Sequence, residues 1–397
     1  MEQWPVTKPA YSIPTMAEIR ALPWNGYRCV STFSGGGGSC TGYAMAGFKV
    51  VWASEFVEEA ARSYRANHPN AILDTRDIRT VQPQVILDAI GCGVGEIDLY
   101  DGSPPCSSFS TAGKRERGWG KAHKYSTDRV QRTDDLFAEY IRLLRGLRPK
   151  VFIAENVSGM LKGTAKGVFK EVLRELSASG YRVEARLVDA SWCGVPQARQ
   201  RVIFQGVRSD LGLAPAFPKP LPYWYTLADA LPHIRRVQAD RRTSTAGAGS
   251  GTVVDVPLNR PIQTVTASGL GNDYRGDWTV EADAWIDGYA IAGEWDKLKP
   301  GEQSERYFQL VKPALDKPSP TLTATGGQTG AAGPCHPIER RKFSIPEVKQ
   351  LCSFPPDYVL TGTFAQKWER CGRSVPPLMM KRIAETVRDE VLGRIAK

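Results

Sequence analysis

The chain has 397 residues, 42% hydrophobic and 24% charged, a balance that fits a packed globular protein and excludes a disordered one. Its net charge of +10 exceeds what an enzyme of small metabolites needs and fits a phosphate-bearing partner, because each Lys or Arg near a backbone phosphate releases a counterion. Eight cysteines without a C-x-x-C pair and four histidines without zinc spacing point away from a metal, while the lack of a leader-like or membrane-length apolar run predicts a cytoplasmic chain with reduced thiols and no membrane partner.

Residues 1–26 hold several prolines and little pattern and read as an extended lead-in. A strand, Tyr27–Phe33, runs into Ser34-Gly35-Gly36-Gly37-Gly38 and then a short helix to Gly47. Strand, glycine run and helix make the first unit of a doubly wound α/β domain. The glycines do not spell G-x-G-x-x-G, so a dinucleotide pyrophosphate is not indicated, yet they let a ligand lie against bare backbone. The second strand, Phe48–Ser54, ends at Glu55, where such a fold places the acid that holds a ribose hydroxyl. A helix over Val57–Asn67 and a short strand, Ala71–Leu73, lead to Asp77-Ile78, a polar–apolar pair suited to an adenine; an N-cap role for Asp77 is the alternative. These features together fit a nucleoside-shaped ligand without phosphates.

The fourth strand, Ile97–Asp101, enters the corner Gly102-Ser103-Pro104-Pro105 and meets Cys106. Two prolines stiffen that corner, so Cys106 has the setting of a placed nucleophile. The basic, glycine-punctuated segment 113–132, with Trp119 and Tyr125, reads as a lid. A core-facing helix, Asp134–Leu147, and a strand, Val151–Ala154, bring Glu155-Asn156-Val157 to the same sheet edge as Cys106. A helix over Ala165–Ser179 and strands Arg182–Asp189 and Arg201–Val207 follow, and Arg199 and Arg201 share a face if the backbone between them is extended. From 208 to about 340 the chain is rich in Pro, Gly, Thr and aromatics, and Leu258–Gly269 repeats as Leu315–Gly326. Each copy reads as a basic turn, a short Thr strand and a glycine loop, able to offer Arg260 and Lys317 to a nucleic acid. Helices return over Ser344–Cys352 and Leu378–Leu392, with Gly372-Arg373-Ser374-Val375 before the last one.

In this order the motifs resemble the cytosine-5 DNA methyltransferases: Phe33-Ser34-Gly35-Gly36, Glu55, Asp77, Pro105-Cys106, Glu155-Asn156-Val157, Gln197–Arg201 and Gly372–Val375. The resemblance covers nearly the whole chain outside the middle segment. It implies a doubly wound, Rossmann-like S-adenosylmethionine-dependent methyltransferase domain (1–207 plus 341–397) with an inserted, mostly β or irregular target-recognition domain (208–340). It also implies that Cys106 adds to C6 of a flipped cytosine in double-stranded DNA, Glu155 holds the N3 and amino edge, Arg201 the O2, and Arg199 supports the nucleophile loop. The cofactor-binding set would be Phe33, Ser34, Gly35, Gly36, Glu55, Phe56, Asp77, Ile78, Pro105, Leu136, Arg373, Ser374 and Val375. A cognate restriction enzyme is an implied companion.

Two positions depart from the family pattern. Ser107 stands where Gln is common, and Arg373 stands where the last motif has Asn. A fixed cation repels a sulfonium, so Arg373 raises the expectation of carboxy-S-adenosylmethionine and a 5-carboxymethylcytosine product beside that of plain methyl transfer. An RNA cytosine-5 methyltransferase and an inactive DNA-binding homologue are the other readings. The long middle segment speaks against the first, and the intact Cys106, Glu155, Arg199 and Arg201 against the second.

Overall fold

A computed structural model describes residues 7–105, 123–125, 129–131, 136–163, 165–234 and 278–395, the two three-residue stretches by backbone alone. The strands are β1 (Arg28–Thr32), β2 (Lys49–Ser54), β3 (Ile72–Asp74), β4 (Leu99–Gly102), β5 (His123–Tyr125), β6 (Arg129–Gln131), β7 (Val151–Val157), β8 (Tyr181–Asp189) and β9 (Gln200–Arg208). Seven of them form one sheet in the order β3-β2-β1-β4-β7-β9-β8, and β5 pairs with β6 as a separate antiparallel hairpin. The first five strands of that order are parallel, and β9 runs antiparallel between β7 and β8. This is the expected doubly wound α/β architecture.

Alternation along the strands explains the two cores. Val151 and Ile153 of β7 pack with Cys29 of β1 and Ile203 of β9 on one face, under Met379, Met380 and Ile383 of the Pro377–Glu390 helix. Phe152 and Ala154 point the other way, joining Val30, Tyr100 and Phe204 against Leu143 and Leu144 of the Leu136–Leu147 helix. Central strands covered on both faces are apolar throughout, as the fully buried run Val151–Ala154 is. Each fully buried Met or Ile contributes about 1.5–3 kcal/mol relative to exposure. The chain order reverses between β1 and β4, and the crevice beyond their carboxyl ends is where this fold places a ligand.

Three helices depart from the sequence expectations. The lead-in is not wholly extended: Met16–Arg20 is a helix closed by a Thr15/Glu18 capping box, burying Met16 and Ile19. Pro83–Ile90 is a helix with Pro at its start and Gly91 in the left-handed conformation at its end. Phe364–Arg373 is a helix opened by a Thr363/Gln366 capping box, so Arg373 is helical rather than part of a loop. The second repeat copy does not form its expected strand. It runs with a single parallel bridge, Ser319 to Gln197, and then a short 3-10 turn at Ala324–Gly327. The first copy, with Arg260, lies outside the described residues, as does Trp119 of the expected lid.

Gly206 of β9 faces the Phe152 ring, and a Cβ built there would lie 2.0 Å from it. Gly206→Ala is expected to force that ring aside and to cost about 1–3 kcal/mol, read as a lowered midpoint in chemical denaturation.

Candidate active site

The crevice is a cavity of about 610 Å³ lined by Phe33–Gly36 after β1, Glu55 and Phe56 after β2, Ile78, Ser103–Pro105 after β4, Leu136, Glu155, Arg199, Arg201 and Arg373–Val375. It therefore collects nearly all the residues singled out in the sequence. Cys106 and Ser107 lie outside the described residues, but Pro105, which precedes them, is at the wall. Asp77 is the exception. It is not among the lining residues; its carboxylate caps the turn that follows, accepting from the Arg79 main-chain N–H at 3.1 Å and pairing with the Arg79 guanidinium at 3.1 Å. Asp77 thus has the capping role, while its neighbour Ile78, 5% exposed, lines the cavity.

The glycine run is tight for a packing reason. A Cβ on Gly38 would lie 2.4 Å from the Val375 carbonyl oxygen and 2.9 Å from Ser374 Cβ, so the first cofactor motif and the last one touch backbone to backbone. Gly37 takes a φ of 92° where the loop turns into the helix. The Tyr358 hydroxyl donates to the Gly36 carbonyl and fixes the loop from outside. Glu55 accepts from the main-chain N–H of Gly35 at 2.8 Å and of Val57 at 2.7 Å. Burial holds its carboxyl above the usual range, opposed by the Val57 hydrogen bond and the charge of Arg370. Each oxygen of Glu55 keeps a second lone pair for a ligand hydroxyl.

Strand register sets the opposite wall. Glu155 sits across from Ile203, and Val157 across from Arg201, so Glu155 and Arg201 are diagonal neighbours on one face. Their side chains pair at 2.7 Å, Arg201 Nε to Glu155 Oε1, both nearly buried. Burial lowers the Arg201 pKa and Glu155 opposes the shift. The strand β7 extends through Val157, so Glu155 lies within it and is aimed by the sheet rather than by a loop. Asn156, buried, donates through Nδ2 to the Pro104 carbonyl at 3.2 Å and so anchors the corner that carries Cys106. Asn156 was legible only as part of its tripeptide, not as a positioning residue.

The Cys106 loop that Arg199 was expected to support lies outside the described residues; among those described, Arg199 reaches the last motif. Its guanidinium, 1% exposed, donates to the carbonyls of Leu322 at 3.3 Å, Gly372 at 2.8 Å and Ser374 at 2.9 Å. Burial, with Arg201 nearby, pushes its pKa down to about 9. Arg199 thus ties the last motif to the second repeat copy, and Thr321, Thr323, Ala324 and Thr325 of that copy also line the cavity. The sequence pattern of this copy, open to a nucleic-acid contact or a structural hairpin, gave no sign of a place in the cavity wall. Arg373 is half-exposed and pairs through Nε with Glu369 Oε1 at 2.6 Å, one helical turn away.

Away from the cavity, His233, His336 and Glu347 bring their ligand-type atoms within 4.8 Å of one another. Arg341 already holds both Glu347 oxygens, at 2.6 and 2.9 Å. His336 Nδ1 accepts two main-chain N–H groups, from Ile338 at 3.3 Å and Glu339 at 2.9 Å, so its proton resides on Nε2 and no lone pair faces the group. The cluster is a polar knot that joins chain segments, with Glu347 held well below the usual carboxylate range by Arg341 against the cost of burial. No helix among the described residues is long and apolar enough to cross a membrane.

The C-5 cytosine-specific DNA methylase family model matches residues 27–389. The chain belongs to that family. A Type II methyltransferase, M.PspPI of Psychrobacter sp., is 29% identical over 385 residues, covering 93% of this chain and 81% of the relative. M.DdeI of Desulfomicrobium norvegicum is 28% identical over 386 residues, covering 90% and 88%. Among solved structures, Spodoptera frugiperda DNMT2 superimposes with a TM-score of 0.59 at 17% identity, over 92% of this chain and 100% of that one. The structural likeness shows a shared fold, and the family match shows an enzyme of the DNA methyltransferase type.

Arg199→Met would take the donor from three main-chain carbonyls, two of them buried, an expected loss of about 3 kcal/mol or more in denaturant unfolding. Asp101, beneath the site on β4, accepts from Ser31 at 2.9 Å and Tyr43 at 2.8 Å, and burial pushes its carboxyl up to about 7. A folded-state pKa above the unfolded one means that the native protein holds an extra proton as pH rises from about 4 to about 7. The stability of Asp101→Asn relative to the parent should therefore shift in the variant's favour across that window and stay level above it, measured as denaturation midpoints against pH.

Proposed function

We propose that this protein methylates C5 of cytosine in double-stranded DNA, with S-adenosylmethionine as methyl donor and Cys106 as the nucleophile. The observation that carries the reading is the convergence on one cavity of three things: the glycine loop with Glu55, the Pro104-Pro105 corner that leads to Cys106, and the buried Glu155–Arg201 pair.

The cavity fits the donor by its chemistry. Phe33, Ile78 and Leu136 belong to one apolar cluster suited to an adenine ring, and Glu55 has lone pairs left for ribose hydroxyls. When bound, the donor supplies an electrophilic methyl group; the chain's residues supply the rest. The Cys106 thiolate adds to cytosine C6, and the electron pair of the C5–C6 bond moves toward N3 and then back to C5. Glu155 holds the N3 and amino edge while charge shifts there, and Arg201, fixed by its bond to Glu155, holds O2. After C5 has gained its methyl group it gives up its proton to a water acting as base, and the electron pair left on C5 re-forms the C5–C6 double bond as the C6–sulfur bond breaks and returns the thiolate. The target carbon is closed off in a stacked duplex, so the base enters the cavity flipped out. The segment 208–340, apart from the Thr321–Thr325 stretch at the cavity wall, reads the DNA sequence, and the excess of basic residues supplies phosphate contacts. The Type II methyltransferase relatives support a cytoplasmic role in protecting DNA from a cognate restriction enzyme.

Carboxymethyl transfer from carboxy-S-adenosylmethionine is the second reading, favoured by the presence of Arg373 at the cavity wall. Glu369 weighs against it, because the charge that would attract a carboxylated donor already has a carboxylate at 2.6 Å.

Purified protein incubated with duplex DNA and each donor, followed by mass analysis of the nucleosides, separates these readings. The expected product is 5-methylcytosine from S-adenosylmethionine, absent with Cys106→Ala and reduced about a hundredfold or more with Glu155→Gln. A carboxymethyl product in preference to methyl would overturn the choice of donor, and modification of RNA in place of DNA would overturn the substrate.

A further inference from the structure

We infer that Arg370 is the carboxylate-binding residue of the donor pocket, gripping the amino-acid end of S-adenosylmethionine; the inference rests on the methyl-donor reading above. Arg370 lines the cavity although it is only 5% exposed. Its stem lies flat on the glycine loop: a Cβ built on Gly36 would sit 3.5 Å from Arg370 Cβ and 3.8 Å from its Cγ and Cδ. The guanidinium is thereby carried along the bare backbone on which a ligand would rest.

Its charge and donors are only partly satisfied. One nitrogen pairs with Glu369 Oε2 at 2.8 Å, but the other oxygen of Glu369 serves Arg373 at 2.6 Å, so one carboxylate is shared by two guanidiniums. The Arg370 Nε is buried without a hydrogen-bond partner. Glu55, the next carboxylate, has its oxygens on the main-chain N–H groups of Gly35 and Val57, and feels Arg370 only through space. The guanidinium lines the cavity with its charge balanced by a carboxylate it shares with Arg373, and a ligand carboxylate there would gain a charge-assisted bond from it. The donor has one carboxylate, on its amino-acid end. With the adenine on the apolar cluster of Phe33, Ile78 and Leu136, the amino-acid end is the part left to meet the glycine loop and Arg370. The bond would form in reactant and product alike, so Arg370 acts on binding and orientation rather than on the chemical step.

The test is calorimetric binding of S-adenosylhomocysteine, its decarboxylated analogue and 5′-methylthioadenosine to the full-length protein and to Arg370→Met, which keeps the stem. The parent should bind S-adenosylhomocysteine about tenfold to a hundredfold more tightly than the decarboxylated analogue. Arg370→Met should lose that preference while binding 5′-methylthioadenosine as the parent does. Arg370→Lys, which keeps the charge but not the fork, should show an intermediate preference and carries the comparison if the Met variant does not fold. Equal weakening of all three ligands would make Arg370 a structural residue, and unchanged binding would remove it from the site; either result overturns the inference. A parent protein that binds none of the three would overturn the methyl-donor reading itself, and this inference with it.

Discussion

One buried guanidinium holds the site together. Arg199 leaves β8 and β9 behind and reaches the carbonyls of Leu322, Gly372 and Ser374, joining the sheet edge to two stretches that come more than a hundred residues later in the chain. The planar fork spreads its donors over separate nitrogens, with Nη1 serving Leu322 and Nη2 serving Gly372 and Ser374. The energetic logic is one-sided. Three main-chain carbonyls removed from water need donors, and a charged donor removed from water needs acceptors, so neither side is stable without the other. Everything that depends on Gly372–Val375 lying against the glycine loop depends on this link.

The glycine loop shows the same constraint from the opposite side. Gly38 has no side chain because the Val375 carbonyl occupies that space, and Gly372 has none because the main chain of Thr323 and Ala324 approaches to 2.8 Å of where a Cβ would be. The cavity is therefore walled on one side by backbone pressed against backbone. Such contacts leave little freedom, which suits a pocket that must place a reactive methyl group within bonding reach of a base. The opposite wall is aimed by strand register, with Glu155 and Arg201 as diagonal neighbours in an antiparallel pair. Rigid elements thus hold Glu155 and Arg201, while the Pro104-Pro105 corner is tied down by Asn156.

What the sequence disclosed about this arrangement was its parts rather than its joints. Strand ends at Phe33 and Glu55 were legible because apolar runs stop there and doubly wound folds gather such ends along one edge, whereas β7 runs two residues past Glu155, beyond its expected end. The fold class followed from the alternation of strands and helices. The contribution of Thr321–Thr325 to the cavity was not legible, since nothing local in a Thr- and Gly-rich repeat says which carbonyl a distant arginine will take. Asp77 was ambiguous for a physical reason: an aspartate before a turn suits a cap as well as a ligand, and the structure shows it making the cap.

Arg373 illustrates how a missed element distorts a chemical argument. Read as a loop residue, it is an isolated cation facing the place where a sulfonium would lie, and electrostatics then calls for a different donor. Read as the last residue of the Phe364–Arg373 helix, it stands four residues from Glu369, the spacing at which opposite charges on a helix meet. The signal for that helix was present in Thr363 and Gln366, a capping box at its start, but the segment is short and was passed over as a connection. With the helix in place, the charge at the wall of the pocket is shared among Glu369, Arg370 and Arg373, and the buried member of the group is Arg370. The electrostatic question about this site accordingly moves from the half-exposed cation in the last motif to the buried one a turn earlier, where desolvation makes an unfilled donor matter most.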